Sequence, residues 1–410
     1  MPIPPTMRLI LRCTRPGNSS ITCNRFSFLQ LASFSTAGTC HARANLVKPD
    51  PMEFEKYTLT SKEQHIKWAD GIRHGFAGSV GRTPMIRLNK LSQETGCEIL
   101  MKGEYANAGG SVKDRAALYL LKDAIETGKI RPGGTVVEGT AGNTGIGLAH
   151  VCLALGLKLV IFMPNNQSIE KVEILKNLGA EVTSVPVAPF TDPNNYNHQA
   201  KRHAEKLENA IWTNQFDNVA NRRAHYETTG PEIWEQTGGK VDAVVFGTGT
   251  GGTIAGVGTF LKERDEDIKV FLADPQGSVL YNWVKEGKLE RLVGVGKNKE
   301  GSITEGIGQG RVTKNLEGAP IDDAVAIPDN LVMQHTFRLL NDEGFYCGAS
   351  SGLNVAAAVE VAKLMGPGKT IVSCLCDTGH KYFKRLFNKL AMEEAGLLQF
   401  VPEDHRKFLR

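Results

Sequence analysis

The sequence predicts an α/β protein of two domains, each built on a mostly parallel sheet covered on both faces by helices. Three observations predict it. From about residue 75 onward, short β-branched runs alternate with longer helical patterns, the order that produces parallel strands joined by crossover helices. The strand-like runs are nearly continuous in apolar residues, as strands buried on both faces are. Two strand-glycine-helix junctions, at residues 137–147 and 246–254, fall in different halves of the chain, and two domains with a cleft between them would bring both to one site.

The first 49 residues are set aside from this fold. They hold Arg8, Arg12, Arg15, Arg25, Arg43 and Lys48, ten Ser or Thr, and no acid before Asp50. Arg-rich, Ser-rich, acid-poor composition with interleaved apolar residues such as Met7, Leu9, Ile10 and Leu11 is that of a mitochondrial presequence, so residues 1–45 are expected to be a targeting segment and the protein mitochondrial. After it, strands are expected at 136–137, 158–163, 181–185, 241–246, 269–273 and 370–376, and helices at 116–127, 145–155, 168–178, 200–208 and 253–263.

Charge excludes some partners. The chain carries 48 basic and 44 acidic residues, a net charge of +4, but removing the six bases of the amino-terminal segment leaves an excess of acid. The body therefore lacks the basic surplus of a nucleic-acid binder. No apolar stretch approaches the roughly 20 residues of a bilayer-spanning helix. Five of the eight cysteines, Cys97, Cys152, Cys347, Cys374 and Cys376, lie in the body without zinc-site spacing, so no metal is expected and the thiols are read as reduced. Cys374 and Cys376 would face one side of a strand as core residues.

Three segments carry chemistry. Residues 241–246 followed by Gly247-Thr248-Gly249-Thr250-Gly251-Gly252-Thr253 form a strand, a glycine loop and a helix start, an anion cradle of backbone N–H groups at a helix dipole. Gly247, Gly249 and Gly252 also satisfy G-x-G-x-x-G, with Asp274 about 20 residues on, so a dinucleotide site competes with a single phosphate. Ala108-Gly109-Gly110-Ser111-Val112-Lys113-Asp114-Arg115 precedes a helix, with Ser111 and Asp114 spaced as a capping box. Lys113 then sits in a first turn, where the dipole disfavours an ammonium and encourages the neutral amine that Schiff-base formation requires. Glu138-Gly139-Thr140-Ala141-Gly142-Asn143-Thr144-Gly145 joins a strand to a helix through small and hydroxylic residues able to hold a carboxylate.

Together, and in this order with 80–88, 214–218, 305–308 and 348–352, these segments resemble the cysteine synthase and cystathionine β-synthase family of pyridoxal-phosphate enzymes, of fold type II. The resemblance covers about three quarters of the chain. It implies two α/β domains with the cofactor in the cleft between them: a larger cofactor-binding one over 75–105 and 217–395, and a smaller substrate domain over 106–216. It places the cofactor lysine and catalytic base at Lys113, the residue bonding the ring hydroxyl at Asn143, the phosphate cup at Gly249, Thr250, Gly251, Gly252 and Thr253, and the residue facing the pyridine nitrogen at Ser350. Thr140, Asn143, Thr144 and Gln215 fall where the family binds the substrate α-carboxylate. The activity implied is β-replacement, O-acetylserine and sulfide giving L-cysteine and acetate by way of an aminoacrylate, in a homodimer.

Three departures bear on donor and nucleophile. Ala141 replaces a usual serine, Asp377-Thr378-Gly379-His380-Lys381-Tyr382 stands where Gly-Glu-Arg-Tyr is common, and Arg311 occupies a usually apolar position. The alternatives are a cystathionine β-synthase-like condensation of serine with homocysteine, an NAD-dependent dehydrogenase built on residues 247–252, and a catalytically silent binding protein. Against the first, no amino-terminal Cys/His haem segment is seen and only 31 residues follow Gly379. The second leaves Lys113 and Ser350 without roles.

Overall fold

The computed structural model describes residues 73–140, 142–167, 169–297 and 301–410. The targeting segment expected at 1–45, the Ala141 departure and Ser168 lie outside the described residues.

Ten strands fall in two sheets. In chain order they are β1 (Met85–Arg87), β2 (Glu98–Gly103), β3 (Thr135–Gly139), β4 (Lys158–Pro164), β5 (Glu181–Val185), β6 (Ala210–Trp212), β7 (Ala243–Gly247), β8 (Lys269–Pro275), β9 (Asp323–Ile327) and β10 (Thr370–Leu375). The larger sheet runs β1-β2-β10-β7-β8-β9 and the smaller β5-β4-β3-β6. Every pairing is parallel except β1 with β2. The longer helices are α1 (Lys113–Glu126), α2 (Asn143–Leu155), α3 (Ile169–Asn177), α4 (Tyr196–Ala204), α5 (Gly252–Lys262), α6 (Asp329–Glu343) and α7 (Ala349–Met365).

Helices cover both faces of each sheet, which is why the central strands read as unbroken apolar runs. Val325, Ile371 and Leu375 of the larger sheet pack with residues of α6 and α7 such as Val332, Phe337, Leu353 and Val359. Its other face, with Val244, Phe246 and Leu272, packs against Ile254, Val257 and Leu261 of α5. In the smaller sheet Val136 and Ile161 meet Leu121 of α1 and Leu148 of α2, while Val137 and Phe162 meet Ala200 and Ala204 of α4.

Topology places the two glycine junctions. Strand β3 has β4 on one side and β6 on the other, and β7 has β8 and β10. Each is therefore a point where strand order reverses, and a crevice opens beyond the carboxyl end of such a strand. The loop leaving β3 leads into α2, and the loop leaving β7 leads into α5.

One local expectation needs correction. Helix α1 begins at Lys113 with Val112 as its N-cap and no side-chain cap. The Ser111 hydroxyl accepts the Lys113 N–H at 3.2 Å instead of the Asp114 N–H, while Asp114 reaches back to the Gly109 N–H at 2.6 Å as well as to the Ser111 backbone. The box slips because Val112 N–H is held by the Cys376 carbonyl at 2.9 Å, which draws Val112 into the helix entrance.

Candidate active site

Lys113 opens α1, and what holds α1 in place is a fully buried ion network behind it. Arg115 is 1% exposed. Its guanidinium donates twice to Glu104 and twice to Glu232 at 2.7–2.8 Å, with Thr83 and Thr228 completing its donors. Lys102 pairs with Glu232 at 2.6 Å. Two cations face two carboxylates, so the charges balance without water. By contrast Lys113 makes no side-chain hydrogen bond or ion pair among the described residues, and it lines a cleft shared with Thr140, Asn143, Thr144, Gln215, Thr250 and Ser350.

The cradle after β7 has the form its sequence suggests. Gly251 is the N-cap of α5 with φ +88° and offers no side chain to the first-turn N–H groups, which leaves them as donors for an anion. Side chains would not fit here: a Cβ on Gly249 would collide with the Gly306 carbonyl, one on Gly251 with Leu316 and one on Gly252 with Asn221. Asn221 Nδ2 donates to Thr250 Oγ1 at 2.8 Å, and His225 Nε2 lies 3.2 Å from Thr253 Oγ1. Burial, then the nearby Arg115 charge, holds the His225 imidazole down at about 3, so it orients Thr253 as a neutral ring. It sits in a single π turn, His225–Thr229, inside a helical run, a signal that no periodicity revealed. Of the cup residues, Thr250 lines the cleft, while Gly249, Gly251, Gly252 and Thr253 form the loop and first turn beside it.

The loop after β3 supplies a second helix start. No side chain caps α2 at Gly142. Asn143 is clamped: its Nδ2 donates to Asp377 Oδ2 at 2.7 Å, and its Oδ1 accepts from Lys381 Nζ at 2.9 Å. Tyr382 donates to the same Asp377 oxygen at 2.7 Å. An amide held this way has one N–H left and presents it as a donor. Thr144 donates to Gln215 Oε1 at 2.6 Å. The Gln215 amide in turn reaches Glu138 and the Gly139 carbonyl at 3.3 Å. A carboxylate bound here would thus rely on the backbone N–H groups at the α2 start more than on the Gln215 side chain.

Ser350 stands in the first turn of α7, 9% exposed. Beside it, Cys376 also lines the cleft. Its Sγ lies 3.7 Å from Cys374 Sγ, and Asn354 Nδ2 is 3.3 Å from both sulfurs. The pair shares one face of the strand, but Cys376 is part of the cleft wall as well as core. Arg311 pairs bidentately with Asp217 at 2.9 Å and stacks on Phe190 at 4.5 Å.

One cleft residue escaped sequence reasoning, and another, Glu305, was seen only as part of a motif. Lys171 of α3 is 2% exposed, forms an ion pair with Glu305 and lies 4.9 Å from the Tyr382 ring centroid. Glu305 also accepts Arg385 Nη1 at 2.7 Å. In sequence Lys171 resembles any solvated helix lysine; only packing buries it.

These donors fit a phosphate monoester carried on an aromatic aldehyde. Among the described residues the cradle offers N–H and hydroxyl donors without a carboxylate, Asn143 presents a donor, and Lys113, with no side-chain partner among them, faces the same cleft. A dinucleotide fits less well. Asp274, which a ribose would need, is fully buried, accepts the Tyr281 N–H at 2.7 Å and is pushed up to about 6 by burial.

Residues 77–377 match the sequence pattern of a family described as Pyridoxal-phosphate dependent enzyme. The chain is 56% identical to Cysteine synthase 1 of Neurospora crassa over 362 residues, covering 88% of this chain and 94% of that protein. It is 55% identical to Cysteine synthase 1 of Emericella nidulans, covering 84% and 92%. Among solved structures, an O-ureido-L-serine synthase superposes with a TM-score of 0.69 at 32% identity, covering 77% of this chain and 95% of that one.

Proposed function

The chain belongs to the family of pyridoxal-phosphate dependent enzymes, and from that premise we propose that it is a cysteine synthase, replacing the acetoxy group of O-acetylserine with sulfide to give L-cysteine and acetate. The observation that carries this reading is convergence: Lys113, Asn143, Thr250 and Ser350, from four separate segments, line one cleft at the carboxyl ends of β3 and β7. The cofactor is pyridoxal 5'-phosphate. When bound, it supplies the electron sink that lets the Cα–H bond and the bond to the leaving group break.

The protein's own residues do the rest. Gly249, Thr250, Gly251, Gly252 and Thr253 would hold the phosphate through N–H and hydroxyl groups. Asn143 would donate to the ring hydroxyl, its amide orientation set by Asp377 and Lys381. Ser350 offers the ring nitrogen a hydroxyl, which does not force protonation as a carboxylate would. Thr140, Asn143, Thr144 and Gln215 form the seat for the substrate α-carboxylate, with the α2 dipole favouring its charge. Lys113 would hold the cofactor and would serve as the base for the Cα proton.

The smaller domain is assigned to 106–216 and the larger to 75–105 with 217–395. The composition of residues 1–45 supports mitochondrial import, and the family resemblance supports a homodimer, which sedimentation would test. Among the described residues no helix is long and apolar enough to cross a membrane.

The decisive assay follows cysteine and acetate release by purified protein given O-acetylserine and sulfide, beside serine with homocysteine. Cysteine formation in the first and little cystathionine in the second is expected. The reverse preference would replace this reading by the condensation, and reduction of NAD by a hydroxy acid would replace it by a dehydrogenase.

A further inference from the structure

We propose that Lys171 admits the sulfur nucleophile as an anion, making it a specificity-determining residue of the second half of the reaction. The proposal rests on the cysteine-forming reading above. Lys171 lies on α3 of the smaller sheet's region, and its partner Glu305 lies in the segment between β8 and β9 of the larger sheet. The pair therefore spans the cleft, and both residues line it. Glu305 is also shared with Arg385, whose side chain is 45% exposed, so this ion cluster marks the solvent side of the cleft.

Charge and position point to an anion. Two cations, Lys171 and Arg385, share the one carboxylate of Glu305, while farther along the wall Lys381 faces both Asp377 and Asp114. Taken as a trio, Lys171, Arg385 and Glu305 keep one positive charge. Glu305 is thus an incomplete counter-ion, and a small anion entering the cleft competes with it for Lys171. The Lys171 ammonium reaches inward: it would lie 3.6 Å from a Cβ on Gly142, at the start of α2. Its cation lies near the Tyr382 ring and its stem is buried, which holds it in place at low conformational cost. The donor's α-carboxylate is served by the N–H groups of α2, whereas hydrosulfide, which has no carboxylate of its own, must otherwise be drawn from water without a contact.

The test compares Lys171→Met, Lys171→Arg and Glu305→Gln in the holoenzyme, after confirming that each binds cofactor at wild-type stoichiometry. The wild-type rate with O-acetylserine and sulfide judges the cysteine-synthase reading by itself; ratios between variants and wild type judge this proposal. Lys171→Met is expected to raise KM for sulfide about tenfold, equivalent to about 1.4 kcal/mol, while KM for O-acetylserine and turnover with pyrazole, a neutral nucleophile, stay near wild type. Lys171→Arg should restore most of the loss. Glu305→Gln, which frees Lys171, should lower KM for sulfide and strengthen binding of thiocyanate, an unreactive anion, read as a larger rise in melting temperature. Equal losses with sulfide and pyrazole, a rise confined to KM for O-acetylserine, or a Glu305→Gln variant impaired in the same direction as Lys171→Met would each overturn the proposal.

Discussion

Arg115→Met is the most informative perturbation of the scaffold behind the reaction centre. The guanidinium makes six hydrogen bonds, and its loss leaves Glu104 and Glu232 buried with Lys102 as their single counter-ion. Removing one partner of a buried ion cluster costs about 3–5 kcal/mol, a large part of the roughly 5–15 kcal/mol that holds a folded protein together. The expected fall in melting temperature is about 5–10 °C. The pH dependence gives the sign. Burial by itself would lift the Glu232 carboxyl; Arg115 first and then Lys102 outweigh it and hold it at about 2. In the wild type this carboxylate stabilises above its unfolded value and loses that contribution only as pH falls towards 2. Without Arg115 the carboxyls move above their unfolded value of about 4.3. The variant's penalty is then small in acid, where one of them is protonated, and grows as pH rises. Scanning calorimetry of wild type and variant at about pH 5 and about pH 8 reads this directly. A gap of less than about a degree, or one that narrows as pH rises, would refute the idea that Arg115 is the charge that makes the cluster tolerable.

Three further outcomes follow. Lys113→Ala should fold, since alanine is the better helix former by a few tenths of a kcal/mol, but should show no cofactor adduct by intact mass after borohydride reduction; an adduct on another lysine, or near wild-type cysteine formation, counts against Lys113. Thr253→Asp puts a carboxylate in the first turn of α5, where it favours the helix dipole by about 0.3–1 kcal/mol yet repels a phosphate. The apoprotein should therefore melt no lower than wild type while cofactor affinity by equilibrium dialysis falls more than tenfold, and undiminished affinity would move the phosphate elsewhere. Deleting residues 1–45 should leave the purified enzyme's activity unchanged and abolish import into isolated mitochondria; import of the truncated chain would remove the targeting role.

What the sequence revealed of this fold tracks how each element is buried. Strands β3, β4, β7, β8 and β10 were legible because parallel strands covered on both faces are written in apolar residues, whereas the edge strand β5 (Glu181–Val185) showed through its β-branched residues, only Val185 being buried. Strands β1 and β6 have three residues each, too short for a pattern. Strand β2 is disguised by Lys102, a fully buried lysine that reads as solvent-facing until Glu232 is packed against it. Helix α7 is buried almost all round, from Ala349 to Ala362, and so lacks the polar stripe that marks a surface helix. At the candidate site, Lys113, Asn143, Ser350 and the Gly249–Thr253 loop were singled out by local motifs, and Lys113, Asn143, Thr250 and Ser350 line one cleft. Lys171, Glu305, His225, Asp377 and Lys381 acquire their settings only through contacts between segments far apart in the chain.

Those contacts give the cleft its chemical logic. Lys102 is held by Glu232, Lys171 by Glu305, and Lys381 by the Gly110 carbonyl and Asn143. Each of these ammonium groups is tied to an acceptor. Lys113 alone among them is tied to none within the described residues, and it stands at the dipole end that disfavours positive charge. The proposed role of Lys113, bonding to a carbonyl carbon, is served by a lysine that no carboxylate pairs with. Glu232 and Glu305 thus hold Lys102 and Lys171 directly, whereas no carboxylate among the described residues holds Lys113, the difference that its proposed role requires.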